Sequence, residues 1–260
     1  MAISTSVLDK LDSLRAVLQG YRSCLVAYSG GVDSVLLAKV AHEELGEQML
    51  AAIADSPSLP RRELAEARAI SKQFSFPLEI VRTAEFDNPD YTANPLNRCY
   101  HCKHELFTHL EPLAMDRGLA VIAYGENASD IGDWRPGAMA AGEFAVRAPL
   151  KEAGLSKDDI RAVSARLDLP TAEKPQMPCL SSRVPYGQVV TQEKLKMIEA
   201  AENVLRDQGF RDVRVRHHET GPLARIEVSV DEIERLESGE TFSAIDASLK
   251  LIGYSAVEVE

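Results

Sequence analysis

The stretch NRCYHCKHELF, from Asn97 to Phe107, places Cys99 and Cys102 at positions i and i+3 of a predicted helix, so both thiols share one face. A third thiol, Cys179, lies much further along the chain in MPCLSSR. Three thiolates leave one coordination position open. On zinc, His101 or His104 would complete a Cys₃His set. On a [4Fe-4S] cluster, normally held by four thiolates, one iron would lack a protein ligand and would be available for an extra sulfide. A Cys-x-x-Cys pair also serves as a redox dithiol. Cys24 lies inside an apolar run and reads as core packing.

The second chemical stretch is VAYSGGVDSVLLAKV. A strand ends at Tyr28 and a helix runs from about Val32 to Leu45, with Ser29, Gly30 and Gly31 between them. Two glycines let backbone N–H groups turn toward one point, and the helix N-terminus adds its own donors, which together suit a phosphate. The hydroxyls of Ser29 and Ser34 add further donors, and Asp33 is available to hold Mg²⁺ against the phosphates. The spacing is neither that of the common P-loop nor that of a dinucleotide fingerprint. Asp55 follows a second strand at the same sheet edge, as an adenosine contact or as a helix cap.

These residues need a scaffold, and the first half of the chain supplies an alternating one. Cys24–Tyr28, Met49–Ala54, Leu78–Val81 and Leu119–Tyr124 read as buried strands. Amphipathic segments separate them, including a helix opened by Pro60 and the cysteine helix, which ends near Arg117 with Gly118 as cap. That alternation predicts a parallel sheet covered on both faces. After a Gly- and Asp-rich break, SKDDIRAVSARLD reads as a helix capped by Ser156, with Asp159 three positions on. The proline-rich stretch from Leu169 to Val190 reads as a long functional loop. The predicted division is a nucleotide-binding domain over 1–188 and a small α/β domain over 189–260. In the latter, DVRVRHH puts Arg214, Arg216 and His218 on one strand face, where paired guanidinium groups suit an anion or simply face solvent. Arg183, four residues after Cys179, is the better placed cation, and Glu202 lies on the preceding helix.

A chain of 260 residues with four cysteines needs no disulfide scaffold. The N-terminal segment lacks the flank and apolar stretch of a signal peptide, and no apolar run approaches bilayer length. A soluble, cytoplasmic protein is expected. A net charge of −11 argues against a broad nucleic-acid footprint, though not against a local pocket for a small anion.

SGGVDS between strand and helix resembles the PP-loop of the ATP pyrophosphatase superfamily. That resemblance implies an adenine nucleotide alpha hydrolase-like fold, cleavage between the α- and β-phosphates, and an adenylated intermediate. Nearly the whole chain resembles the LarE-type sulfurtransferases of nickel-pincer nucleotide synthesis, through SGGVDS, NPLNRCYHCKHELF, RPGAMAAGEFAVRAPL, GLSKDDIR, PCLSSRVPYG and RVRHH…ARIEV. The resemblance implies ATP with Mg²⁺ on Ser29, Gly30, Gly31, Asp33, Ser34, Asp55 and Gly125. It implies a pyridinium-biscarboxylate mononucleotide as substrate near Arg183, Arg214, Arg216 and Glu202, and a homo-oligomer. It also implies sulfur supplied through Cys99, Cys102 and Cys179 on a [4Fe-4S] cluster, or by sacrifice of the Cys179 sulfur itself. Two departures stand out: Gly125-Glu-Asn-Ala-Ser-Asp130 replaces the family's Gly-x-Asn-x-Asp-Asp, and Ala172-Glu173 replaces Trp-Asp before Lys174. Rival readings are a PP-loop tRNA thiolase and a non-enzymatic nucleotide-binding module with a zinc clip.

Overall fold

The computed structural model describes residues 4–132, 134–218 and 222–260. Contacts divide the chain into two compact units. The first comprises Met1–Ser56, Arg61–Glu85 and Asn97–Met177; the second comprises Pro57–Pro60, Phe86–Leu96 and Pro178–Glu260. The second unit thus begins ahead of the predicted boundary at 189 and takes in two short stretches from the first half.

The first unit is built on strands β1 (Cys24–Tyr28), β2 (Met49–Asp55), β3 (Leu78–Arg82) and β4 (Val121–Tyr124), all parallel, in the order β3-β2-β1-β4. This is the expected parallel α/β architecture. Its helices are α1 (Thr5–Tyr21), α2 (Val32–Leu45), α3 (Arg61–Gln73), α5 (Arg98–Asp116), α6 (Pro136–Glu143), α7 (Pro149–Glu152) and α8 (Lys157–Arg166). Central β1 is buried along its whole length, as a strand covered on both faces must be. Helix α2 buries Val32, Val35, Leu36, Leu37, Ala38, Val40 and Ala41, and each fully buried leucine contributes roughly 1.5–3 kcal/mol. On another side, Leu106, Phe107 and Leu110 of α5 pack with Leu25, Ala52 and Ala140. The fourth strand begins at Val121, not at Leu119, because the Leu119 N–H closes the end of α5 by donating to the Ala114 carbonyl at 2.8 Å, past Gly118 at φ 65°. β1 leads into β2 on one side and has β4 on the other, so the strand order reverses beside β1. The carboxyl ends at such a point form a ligand crevice.

The second unit contains α4 (Pro89–Thr92), α9 (Gln192–Asp207), α10 (Ile233–Glu237) and α11 (Gly239–Ile252), with strands β5 (Arg214–His218), β6 (Leu223–Glu227) and β7 (Ala256–Val259). β5 pairs antiparallel with β6, and β6 parallel with β7. Leu205, Phe210, Val215, Ile226, Leu236, Ile245 and Leu249 form its core. A second cluster joins Leu180, Val184 and Val190 to Leu195 and Ile198 of α9. Among the described residues, no helix is long and apolar enough to cross a membrane.

Candidate active site

The turn from β1 into α2 lies at the strand-order reversal. Gly30 has φ 75°, a region L side chains rarely adopt, and a Cβ there would lie 3.0 Å from the Ala67 Cβ of α3. Gly31 is the N-cap of α2 and offers no side chain to the first turn. The Ser34 hydroxyl ties the loop together: it accepts from the Ser29 N–H at 3.1 Å, lies 3.0 Å from the Ser29 hydroxyl and donates to the Gly31 carbonyl at 3.1 Å. Gly125, just past β4, completes the cradle. A Cβ at Gly125 would lie 3.1 Å from the Asp33 Cβ and 3.2 Å from the Ser34 nitrogen. The structure therefore brings Ser29, Gly30, Gly31, Asp33, Ser34 and Gly125 together. A helix N-terminus with glycine on both approaches suits a phosphate chain.

Asp33 lies in the first turn of α2 and has two partners. Its Oδ1 accepts from Asn127 Nδ2 at 3.1 Å and its Oδ2 from Lys157 Nζ at 2.5 Å. Asn127 caps the turn Ala128–Asp130, with Asp130 returning the bond, so the start of the stretch that reads as a break in pattern holds an ordered turn whose Asn127 side chain reaches Asp33. Lys157 opens α8 behind the Ser156 cap, and its own N–H donates to the Ser129 hydroxyl at 3.0 Å. A second ammonium, Lys174, lies 2.7 Å from Glu63, 2.9 Å from Glu66 and 3.4 Å from the Gly30 carbonyl. Beside the cradle, burial would raise the Glu126 carboxyl, but bonds from Lys151 and Tyr124 outweigh it and hold the group below its ordinary range. Burial, reinforced by the Glu126 bond, pushes the Tyr124 phenol up. Asp55 ends β2 at the same sheet edge and pairs with Arg61, which also donates to the Ser56 carbonyl at 2.6 Å.

Asn127, Lys157 and Lys174 were missed as site residues. One signal was available for Lys157: a cation at the first position of a helix runs against the macrodipole, so something other than helix stability selects it.

All four cysteines are thiols. Cys24 is fully buried in β1, as expected, and burial pushes its thiol up to about 12. Cys99 is exposed in the first turn of α5, and Cys102, one turn on, is half-buried. Tight packing of α6 fixes this end of α5: a Cβ at Gly137 would lie 3.1 Å from Lys103 Cγ. Among the described residues, no three His, Cys, Asp or Glu side chains are grouped as a metal site. His104 instead stacks edge-on against Phe144, with ring centroids 5.1 Å apart.

Cys179, in the second unit, is half-buried and precedes a short helical turn, Leu180–Arg183. Its carbonyl accepts from the Ser182 N–H at 2.9 Å and from the Ser182 hydroxyl at 2.8 Å. Arg183, 1% exposed, donates to Glu202 at 2.7 Å, to the Pro178 carbonyl at 2.8 Å and to the Ser182 hydroxyl at 2.9 Å. Glu202, also buried, accepts in addition from Arg206 at 2.8 Å and from the Val215 N–H at 3.2 Å. Arg183 and Glu202 are thus partners of each other beneath the cysteine turn. Arg214 and Arg216 alternate with buried Val215 and His217, as the period of two predicts, and both face Glu227: Arg214 at 3.9 Å, Arg216 in a close ion pair.

No family model matches the chain. It is 43% identical to an uncharacterized protein of Synechocystis over 95% of this chain and 96% of that protein. It is 32% identical to the pyridinium-3,5-bisthiocarboxylic acid mononucleotide synthase of Lactiplantibacillus plantarum, over 84% of this chain and 79% of that enzyme. A more distant likeness, at 26% identity over 77% of this chain and 68% of the relative, is to a chain of the glutamine-hydrolyzing GMP synthase of Methanococcus vannielii. The glycine cradle at the strand-order reversal and the extent of this similarity lead to one placement: the chain belongs to the LarE-type family of enzymes, within the PP-loop ATP pyrophosphatase superfamily.

Proposed function

We propose that this protein is an ATP-dependent sulfurtransferase that converts pyridinium-3,5-biscarboxylic acid mononucleotide to its thiocarboxylate for nickel-pincer cofactor synthesis. The cradle around Gly30, Gly31 and Gly125, with Asp33 and Lys157 at its mouth, carries this reading. A carboxylate resists nucleophiles because its oxygen leaves poorly. Attack of that oxygen on the α-phosphorus of ATP expels pyrophosphate and leaves an acyl adenylate, from which AMP departs easily. The backbone donors of the cradle hold the phosphates, and Lys157 neutralises charge gathering on the leaving pyrophosphate. Asp33 is the carboxylate that would hold Mg²⁺, which would supply further charge neutralisation there. Asp55 is assigned to the adenosine, and Arg214 and Arg216 to the substrate's anionic groups. A sulfur nucleophile then displaces AMP, and a second round treats the other carboxylate.

The sulfur carrier we favour is a [4Fe-4S] cluster on Cys99, Cys102 and Cys179. Thiolates are the right donors for it, and Cys99 and Cys102 are accessible on adjoining turns of α5. The firmly held turn at Cys179 supports a second route: the Cys179 thiolate attacks the acyl adenylate, AMP leaves as a thioester forms, and loss of the Cα proton to a base with cleavage of the Cβ–S bond releases the thiocarboxylate and leaves dehydroalanine. Anaerobic purification with iron and sulfide assays, followed by turnover with ATP and the dicarboxylate, separates these routes. AMP and pyrophosphate are the expected products; ADP would end the adenylation reading. Iron and sulfide with intact Cys179 after turnover mark the cluster, and dehydroalanine at 179 marks the sacrificial route.

A further inference from the structure

We propose that Arg183 and a buried ring of three hydroxyls, from Ser58, Tyr91 and Ser181, are positioning residues that fix the Cys179 thiol for sulfur delivery. The proposal rests on the reading of Cys179 as part of the sulfur chemistry, and it assigns Arg183 and Glu202 a task other than holding substrate.

Each side of the Cys179 turn is fastened by a buried polar group. Before it, the Pro178 carbonyl accepts from Arg183 at 2.8 Å. At it, the Cys179 carbonyl takes the Ser182 N–H and hydroxyl, with a longer approach from Arg183 at 3.4 Å. After it, the Leu180 N–H donates to the Ser58 carbonyl at 2.9 Å. The next side chain, Ser181, enters the ring: Ser58 Oγ to Tyr91 at 2.5 Å, Ser58 Oγ to Ser181 at 2.8 Å, and Tyr91 to Ser181 at 2.8 Å. Ser58 is 4% exposed, Tyr91 1% and Ser181 0%. Three hydroxyls this close to one another can each donate once and accept once, and bonds that share members strengthen one another away from water. Two bonds from Asn94, to the carbonyls of Val184 at 3.1 Å and Pro185 at 2.8 Å, hold the chain leaving the turn.

The Arg183 guanidinium has its donors committed to Glu202, the Pro178 carbonyl and the Ser182 hydroxyl, and its side chain is almost wholly shielded. A fork of fixed geometry suits this work, because it bonds a carboxylate on one edge and a carbonyl on the other. A lysine ammonium would balance Glu202 but lacks the second edge. Such a clamp has a chemical use: a reacting sulfur displaced by about 1 Å loses on the order of 10²-fold in rate.

The test compares Arg183→Lys, Tyr91→Phe and Ser181→Ala with the wild type, in kinetics and in iodoacetamide labelling of Cys179 followed by mass spectrometry. The proposal expects KM values for ATP and dicarboxylate near wild type, kcat lowered by about 10-fold or more, and faster labelling of Cys179 as its turn loosens. Cys24, fully buried, should stay unlabelled in every variant, which reports an intact first unit. Tyr91→Phe and Ser181→Ala keep all buried charges paired, so they fold where Arg183 variants fail. A raised KM for the dicarboxylate at unchanged kcat in Arg183→Lys would place Arg183 on the substrate and overturn the assignment. Unchanged labelling and unchanged kcat in the two hydroxyl variants would overturn the ring's role. Labelling is read without turnover, so a wild type that makes no thiocarboxylate refutes the proposed function and leaves the clamp to be judged separately.

Discussion

On the proposed function, a single carboxylate, Asp33, serves two states. With Asn127 and Lys157 on its two oxygens, it is already neutralised, and Mg²⁺ binding there requires Lys157 to turn toward a new anion. ATP supplies that anion, so nucleotide and metal are expected to bind together. Replacing Lys157 by methionine should raise the KM for ATP by about 10-fold and let Mg²⁺ bind without nucleotide, a change isothermal titration would register. Gly30→Ala faces two penalties, the positive φ at about 1–2 kcal/mol and the collision with Ala67, and should abolish measurable nucleotide affinity while the chain still folds. Wild-type ATP binding in that variant would remove Gly30 from the cradle. Much of this site could be read from the sequence, because strand, two glycines and helix are contiguous. Lys157 and Lys174 could not be placed: they stand 124 and 144 residues from the groups they meet in the cradle, and no periodicity encodes such a meeting.

At the scale of elements, caps and carboxylates set the stability of the first unit. Ser156 and Asp159 cap α8 reciprocally, and Asp159 also pairs with Lys10 of α1 at 2.6 Å. Ser156→Ala should cost about 1 kcal/mol, seen as a lower midpoint in urea, and should also loosen the residue that delivers Lys157. Three carboxyls of this unit have lowered proton affinity. At Glu126, Glu152 and Asp159, burial acts upward, but Lys151 with Tyr124, Arg147 with Tyr21, and Lys10 with Ser156 respectively prevail. A group whose folded affinity is depressed stabilises the fold above its ordinary pKa and loses that contribution as pH falls through the folded value. The thermal midpoint should therefore hold from neutrality to the ordinary carboxylate range, near 4.5 for Glu126, and drop below it. Glu126→Gln should flatten part of that drop; an unchanged acid limb would mean these pairs contribute nothing. The parallel sheet was legible because its strands are continuous apolar runs. The stretch from Leu169 to Val190 read only as proline-rich loop, since the turn after Cys179 is held by Ser58, Tyr91 and Glu202, whose distance along the chain hides them from any local pattern.

On the scale of the molecule, an overall charge of −11 coexists with a mouth at the cradle where Lys157 and Lys174 gather. The acidic remainder repels polyanions, while a compact triphosphate reaches Lys157 and Lys174, where it competes with their carboxylate partners Asp33, Glu63 and Glu66. Saturating ATP at about 100 times its Kd should stabilise the fold by about 2.7 kcal/mol. Hydrogen exchange should place that protection at 29–34, 125–130 and the start of α8. Protection confined to the core of the second unit would instead move the nucleotide site.

The polypeptide crosses repeatedly between the two units, and the short pieces 57–60 and 86–96 supply Ser58 and Tyr91 to the unit that contains Cys179. That unit is therefore no detachable cassette. A graft of residues 178–260 onto another nucleotide-binding body would arrive without two of its three hydroxyls. Lineages that inherit this sulfur-bearing turn must inherit the front half along with it, and engineers who wish to move it must transplant three stretches at once.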